Sequence, residues 1–260
     1  YDDFCVAQMA NLLGRVDDYK RLMQFSQNYR NLYHPETGLF TPRLFNGNWN
    51  PQRDRGFTEG DPWTYRFGAL HDIEGMITLM GGNEPFSSAL AENFDAGHYR
   101  HDNEPGHHYI YLFNYCGQPW KTQELIRKHT SKENYRNNPL GINGNDDCGQ
   151  MSAWYIFSVM GFYPVTPGSD VFAIGAPQFS KFTLHLTQKG KPKTFEIFAQ
   201  NLSEENKYVR SIVLDGKPLA MPFITYSQIM NAHKLIFDMT DVPVRSEEHT
   251  SELQSRITIS

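Results

Sequence analysis

The stretch GNDDCGQMSAWYIFSVMGFYPVTPGS, residues 144–169, decides the fold. Its first part sets Gly144, Asn145, Asp146, Asp147, Cys148 and Gly149 ahead of an apolar run that predicts a helix over 149–161. Its last part ends that period, with Pro164, Pro167 and Gly168 close together. Beyond it the pattern has period two. Phe182, Leu184 and Leu186 alternate with polar residues, as do Phe195, Ile197 and Ala199, and then Ile212 and Leu214. Lys189-Gly190 and Asp215-Gly216 mark turns between these strands.

Working back from residue 144, helical spacing predicts segments over 119–131, 106–116, 85–95 and 63–81. Pro62, Pro85 and Pro119 stand at helix starts, where a missing N–H costs nothing. Residues 34–62 form a long loop rich in Pro, Gly, Asn and Arg, a length that usually signals function. Val6, Met9, Leu12, Leu13, Val16, Tyr19, Leu22 and Met23 recur at helical spacing. Asp17 and Asp18 fall where a break and an N-cap would divide that region into two helices. The expected fold is mainly α plus β: a helical region over 1–163, then a small antiparallel β-segment over 164–244. No internal repeat of fixed period is visible.

Residues 245–260, RSEEHTSELQSRITIS, join neither pattern. Residues 245–255 resemble the translation of a common DNA-sequencing adapter. The segment is therefore expected to stand outside the fold and to make almost no packed contacts.

The 260-residue chain is 39% hydrophobic and 20% charged, enough to bury a core. Its net charge of -5 and the lack of a basic stripe argue against a nucleic-acid partner. No apolar run is long enough to predict a transmembrane helix. The three cysteines include no CxxC pair, so neither a disulfide framework nor a zinc site is indicated. Aromatic residues make up 14% of the chain, and many sit in polar loops beside Asn, Asp and Gly, a mixture suited to sugar binding.

Three clusters carry candidate chemistry. In the first, RGFTEGDPW at 55–63, a carboxyl between Phe57 and Trp63 is expected in apolar surroundings, which would keep its proton available for donation. Glu59 or Asp61 can equally cap the adjoining helix. In the second, His98, His101, His107 and His108 surround Asp102, Asn103 and Glu104. Adjacent His107 and His108 point to different helix faces and no H-E-x-x-H is present, which argues against zinc. Asn and Glu supply the hard oxygens that favour calcium, and a solvated helix start is the alternative. In the third, Asp146 and Asp147 sit between Gly144 and Gly149. Two caps are not needed there, and flanking glycines suit close approach to a ligand. Asp147 is the better candidate to accept a proton from an attacking water. Separate carboxyls in helical loops with exposed aromatics point to glycoside hydrolysis.

RGFTEGDPW, LHDIEGMITLMGG, HDNEPGHHYIYLFNYCGQPWKTQ and the stretch from residue 144 resemble successive blocks of glycoside hydrolase family 92, over about residues 1–243. The resemblance implies a calcium-dependent, inverting, exo-acting α-mannosidase. It implies the C-terminal portion only: a partial (α/α)6 toroid, with the family's N-terminal β-sandwich domain lying outside this sequence. Residue by residue it implies Glu59 as general acid and Asp147 as general base. Asn145 and Asp146 lie beside that base, Asn145 at the position that helps orient the water. Asn103 and Glu104 match the calcium and sugar subsite. Trp63, His71 and Asp72 line the sugar pocket, with His101 and His107 as substrate contacts or supports. The segment between Gly82 and Asn103, which can contribute to the leaving-sugar subsite, is shorter than is usual in the family. The expected partner is an α-mannoside glycan and the expected location extracytoplasmic. Two other readings stay open: a non-catalytic carbohydrate-binding fragment, and an inverting glycosidase acting on glucans.

Overall fold

The computed structural model describes residues 1–220 and 222–245. The expectation for residues 245–260 therefore lies outside the described residues except at Arg245, whose guanidinium rests 5.7 Å from the Trp120 ring centre. The chain divides into two compact units, Tyr1–Arg100 and His101–Ser260. A strand begins at Phe162, and the compact division falls earlier, after Arg100. The helices after His101 share a unit with the sheets.

In the first unit, α1 (Asp2–Leu12) and α2 (Val16–Phe25) form a hairpin. Arg15 is the N-cap of α2, so Asp17 and Asp18, expected at the break and cap, lie instead in its first turn, where carboxylates oppose the helix dipole favourably. The residues at helical spacing are not the buried ones. Phe4, Ala7 and Ala10 are buried, whereas Val6, Met9, Leu12, Leu13 and Val16 are exposed. Spacing reports that a helix has a face; which face is covered depends on what lies against it. A two-stranded hairpin, β1 (Tyr33–His34) and β2 (Leu39–Phe40), opens the long loop.

The helix expected over 63–81 is confined to α3 (Ile73–Leu79), and residues 61–72 are a chain of turns. Asp61 explains the difference. Its Oδ1 accepts from Thr64 N at 2.8 Å and Thr64 Oγ1 at 3.0 Å, a side-chain-closed turn in place of a helix start. Pro62 therefore sits in a turn. Asp72 then caps α3 by accepting from Gly75 N. Helix α4 (Asn83–Asp95) completes the unit, with Phe86 and Leu90 buried and Phe86 edge-on to Phe67.

In the second unit the segment expected as helix over 106–116 is two 3-10 turns, Glu104–Gly106 and Tyr109–Asn114. Helix α5 (Pro119–His129) starts on proline as expected. Helix α6 (Gln150–Met160) lies between Gly149 and Gly161, both left-handed. The strands β3 (Phe162–Tyr163), β4 (Val171–Ile174), β5 (Lys181–Gln188), β6 (Lys191–Gln200), β7 (Tyr208–Leu214), β8 (Lys217–Pro218) and β9 (Phe223–Thr225) come next. Helix α7 (Tyr226–Asn231) and β10 (Lys234–Thr240) close the chain, α7 through a Thr225–Gln228 capping box.

A three-stranded sheet runs β3-β4-β9 and a five-stranded sheet β5-β6-β10-β7-β8. Lys189-Gly190 and Asp215-Gly216 each adopt two successive positive φ values, the turn whose twist suits a tight hairpin. The sheet is not wholly antiparallel, however. β10 inserts between β6 and β7 and runs parallel to β6, pairing Leu235 with Ile197 and Phe237 with Ala199. All four belong to a core that also includes Phe162, Ile174, Phe195, Ile224 and Met239. Burying the apolar face of β10 on both sides outweighs the slightly weaker parallel ladder.

Candidate active site

Each unit carries one of the candidate carboxylates. In the first, Glu59 occupies a left-handed conformation with φ 53°, uncommon for a residue with a β-carbon. Its neighbours hold it there. Tyr65 donates its hydroxyl to the Thr58 carbonyl, and Phe57 stacks on Tyr65 with ring centres 5.5 Å apart. Gly60 lies so close that a β-carbon would come within 2.8 Å of Thr64 Cγ2, so the turn accepts no larger residue without shifting. The expected apolar enclosure is absent. Glu59 is exposed, and the adjacent aromatics pack on one another beside it.

Trp63 is a half-buried ring on a rigid mount. It stacks on His98 with centres 4.0 Å apart and planes 9° apart, and the Arg66 guanidinium lies 4.9 Å from its centre. Arg66 is itself buried, donating to Glu92 at 2.7 Å and to the Ala89 carbonyl at 3.2 Å on α4. A flat indole fixed in this way suits stacking against the apolar face of a sugar ring.

His71 and Asp72, expected at a sugar pocket, are committed within the unit. His71 Nε2 lies 2.8 Å from the Ser26 carbonyl, and the ring packs against Tyr1, Phe4 and Tyr29. Burial lowers its pKa and favours the neutral ring. Asp72 accepts from Tyr29 at 2.7 Å, Arg30 at 3.2 Å and Gly75 N at 3.1 Å. Burial alone would raise its pKa; these hydrogen bonds outweigh that and hold it below the usual range. Both residues tie the 3-10 turn Ser26–Leu32 to the start of α3.

In the second unit the turn before α6 is unusual. Asp147, Cys148 and Gly149 have φ values of 46°, 58° and 96°, three left-handed residues in succession. Left-handed backbone costs about 1–2 kcal/mol for a residue with a β-carbon, and such conformations persist only where the surroundings impose them. Here they do. Gly149 N and Met151 N donate to the Asp146 carbonyl, and Gln150 N donates to the Asp147 carbonyl at 3.3 Å. The Asp146 side chain accepts from Ser152 N at 2.9 Å and Ser152 Oγ at 2.8 Å, so Asp146 is the helix-binding member of the pair. Asp147 and Asn145 are exposed beside it. Gly144 presses on the second cluster, since a β-carbon there would lie 2.3 Å from the Asp102 carbonyl oxygen.

Asn103 caps the 3-10 turn Glu104–Gly106, its Oδ1 accepting from Glu104 N at 3.1 Å, and Glu104 is exposed. His101 and His107 are 5% and 1% exposed, too enclosed here to meet a substrate directly. Their pKa values are pushed down to about 3 and about 4, chiefly by burial. His107 has both ring nitrogens engaged, Nε2 3.2 Å from the His101 carbonyl and Nδ1 3.2 Å from Gln150 Nε2. Among the described residues no group of three or more His, Cys, Asp and Glu is gathered as for a metal. Asn103 Oδ1 and the Glu104 carboxylate nevertheless have the hard-oxygen chemistry calcium takes, with carbonyls, water or substrate oxygens needed to complete a shell.

Sequence reasoning missed the residues beneath this surface: Gln150, Tyr163, Tyr135 and Trp154. Gln150 also donates to Tyr163 at 3.1 Å, Tyr135 donates to the Met151 carbonyl at 3.4 Å, and Trp154 donates to the His107 carbonyl at 3.0 Å. The available signal was a polar side chain at the head of an otherwise apolar helix.

The glycosyl hydrolase family 92 catalytic domain profile matches residues 1–241. The chain is similar to the solved family GH92 α-mannosidase BT3965 from Bacteroides thetaiotaomicron, with 38% identity and a TM-score of 0.88, covering 95% of this chain and 34% of that one. It is also similar to the family GH92 inverting mannosidase BT2199 of the same bacterium, at 37% identity and a TM-score of 0.85, covering 94% and 36%. An uncharacterized secreted glycosidase of Arthroderma benhamiae is 26% identical over 264 residues, 90% of this chain and 34% of that protein. The chain thus spans about a third of the length of these relatives. Among the described residues no helix is long and apolar enough to cross a membrane.

Proposed function

This chain belongs to glycosyl hydrolase family 92, and we propose that the protein carrying it is an exo-acting α-mannosidase that hydrolyses terminal α-linked mannose with inversion. The observation that carries this reading is the pair of exposed carboxylates, Glu59 and Asp147, each held on a left-handed turn. Strained backbone gathers at active sites, and two separate carboxylates held on such turns suit presentation to a substrate. The similarity to an α-mannosidase and to an inverting mannosidase supports the substrate class and stereochemistry.

In this mechanism Glu59 is protonated and donates to the leaving glycosidic oxygen. Asp147 stays ionised and accepts a proton from a water attacking the anomeric carbon on the opposite face. Asn145 helps hold that water by hydrogen bonding. The Asp146 carboxylate keeps the turn seated on α6 and leaves the chemistry to Asp147. Single displacement requires room for that water beside the base. Trp63 offers a platform for the sugar ring. Asn103 and Glu104 would hold calcium, which supplies a hard cation that binds vicinal mannose hydroxyls and favours a distorted ring.

A secreted relative supports an extracytoplasmic location.

Proton NMR of the sugar first released from an aryl α-mannoside tests the stereochemistry. The β-anomer is expected, and a first-formed α-anomer would exclude single displacement. Glu59→Gln and Asp147→Asn should each lower kcat by about 10²–10⁴-fold. Wild-type turnover in either variant would remove that residue from the mechanism. Binding of mannose without turnover would favour a carbohydrate-binding role, and activity on glucans without any effect of EDTA would favour the glucan reading.

A further inference from the structure

We propose that Gln150 is a positioning residue for the candidate base: its side-chain amide clamps the first turn of α6 to His107 and Tyr163 and so fixes where the Asp147 carboxylate points. The inference rests on the reading of Asp147 as the base.

The hydrogen-bond pattern fixes the direction of each contact. His107 Nε2 faces the His101 carbonyl at 3.2 Å, and a carbonyl only accepts, so Nε2 carries a proton. In the neutral ring Nδ1 then holds a lone pair and needs a donor. Gln150 Nε2 supplies one N–H to Nδ1 at 3.2 Å and its other N–H to Tyr163 Oη at 3.1 Å. Each partner is buried, His107 to 1% and Tyr163 to 8% exposure. Loss of the amide leaves two buried acceptors without a donor, which favours movement of the turn.

The same amino acid reaches the base through its backbone. Gln150 N donates to the Asp147 carbonyl at 3.3 Å, within the turn of three left-handed residues. One residue therefore grips the strained turn with its main chain and the buried floor with its side chain. Two more ties reinforce the mount. Tyr135 links the Met151 carbonyl to His101 Nε2, and Trp154 donates to the His107 carbonyl. His101 and His107 bracket Asn103 and Glu104 in sequence, and His107 N donates to the Glu104 carbonyl at 3.0 Å. The network thus places the base and the candidate metal ligands in one frame.

The experiment uses the intact enzyme that carries this chain, with aryl α-mannosides of graded leaving-group ability. Gln150→Leu keeps the side-chain bulk and removes the N–H groups. The expected result is a kcat lower by about 10–100-fold with KM within about threefold, because misplacement of a reacting group is felt in the transition state. The loss should be equal for good and poor leaving groups, since water activation and not acid assistance is impaired. Tyr163→Phe, an isosteric deletion of one hydroxyl, should lower kcat by about three- to tenfold with unchanged KM; it decides the matter if Gln150→Leu fails to fold. A kcat within twofold of wild type, or a loss accounted for by KM, overturns the proposal. So does a loss confined to poor leaving groups. Failure of the underlying reading looks different: the wild-type protein releases no mannose, or Asp147→Asn turns over like wild type.

Discussion

Lowering the pH from 7 to 5 should loosen the floor of the second unit, through two buried histidines and a half-buried one. His101, His107 and His129 lie together, with ring centres 5.5 Å apart between His101 and His107 and 5.3 Å between His101 and His129. Burial depresses their pKa values to about 3, about 4 and about 4. In an opened chain each returns to about 6.5. The sign comes from proton uptake. Between pH 6.5 and 4 the opened state binds protons that the folded state refuses, so stability present above pH 6.5 is lost as the pH falls. For a ring shifted from about 6.5 to about 4, the loss between pH 7 and 5 is about 2 kcal/mol, or about 20-fold in the opening equilibrium.

Hydrogen exchange of the α6 amides, read at both pH values and corrected for intrinsic exchange, measures that equilibrium. His107→Gln supplies the control. It destabilises at any pH, but it removes one titrating ring, so its pH dependence should be about 20-fold smaller than that of wild type. Equal pH dependence in the two proteins would refute the reasoning.

Gly144→Ala adds a β-carbon 2.3 Å from a backbone oxygen at φ +80°, so the Asp147 turn must move away from Asp102. Stability should fall by about 1–3 kcal/mol, seen in the thermal midpoint, with loss of turnover. Gly75→Ala drives a β-carbon to 2.1 Å from Asp72 Oδ2 and 2.4 Å from Arg30 Nη2. It should break the cap of α3 together with the Arg30 and Tyr29 contacts, costing about 2 kcal/mol or more in calorimetry. Trp154→Phe removes the N–H held by the His107 carbonyl and leaves a space in a fully buried site. A loss of about 2–4 kcal/mol is expected, and an unchanged midpoint would show that the mount does not depend on it. Treatment with EDTA should abolish turnover and added calcium should restore it; recovery with zinc alone would exclude the Asn103–Glu104 assignment.

Local physics was legible from residue order. Lys189-Gly190 and Asp215-Gly216 announce their hairpins because only certain residues tolerate two left-handed positions. Pro119 marks the start of α5, and the alternation of Phe182, Leu184 and Leu186 and of Phe195, Ile197 and Ala199 falls on β5 and β6. The blocks around Glu59, Asn103 and Asp147 stand out as candidates by residue type, with capping and a solvated helix start as the competing readings.

What tertiary structure alone decided is every question of partnership. The period of α1 could not say that Ala7 and Ala10 face inward while Leu12 and Leu13 stay exposed, since burial depends on the neighbour. Nor could alternation in β10 reveal its parallel place beside β6, because that pairing joins segments remote in sequence. The family resemblance places His71 and Asp72 at a sugar pocket, with His101 and His107 as substrate contacts or supports. In the folded chain His71 Nε2 lies against Ser26, Asp72 accepts from Tyr29 and Arg30, His101 Nε2 meets Tyr135 and His107 Nδ1 meets Gln150. A polar side chain becomes a ligand or a support according to whether packing leaves it a partner, and that is settled only when distant segments meet.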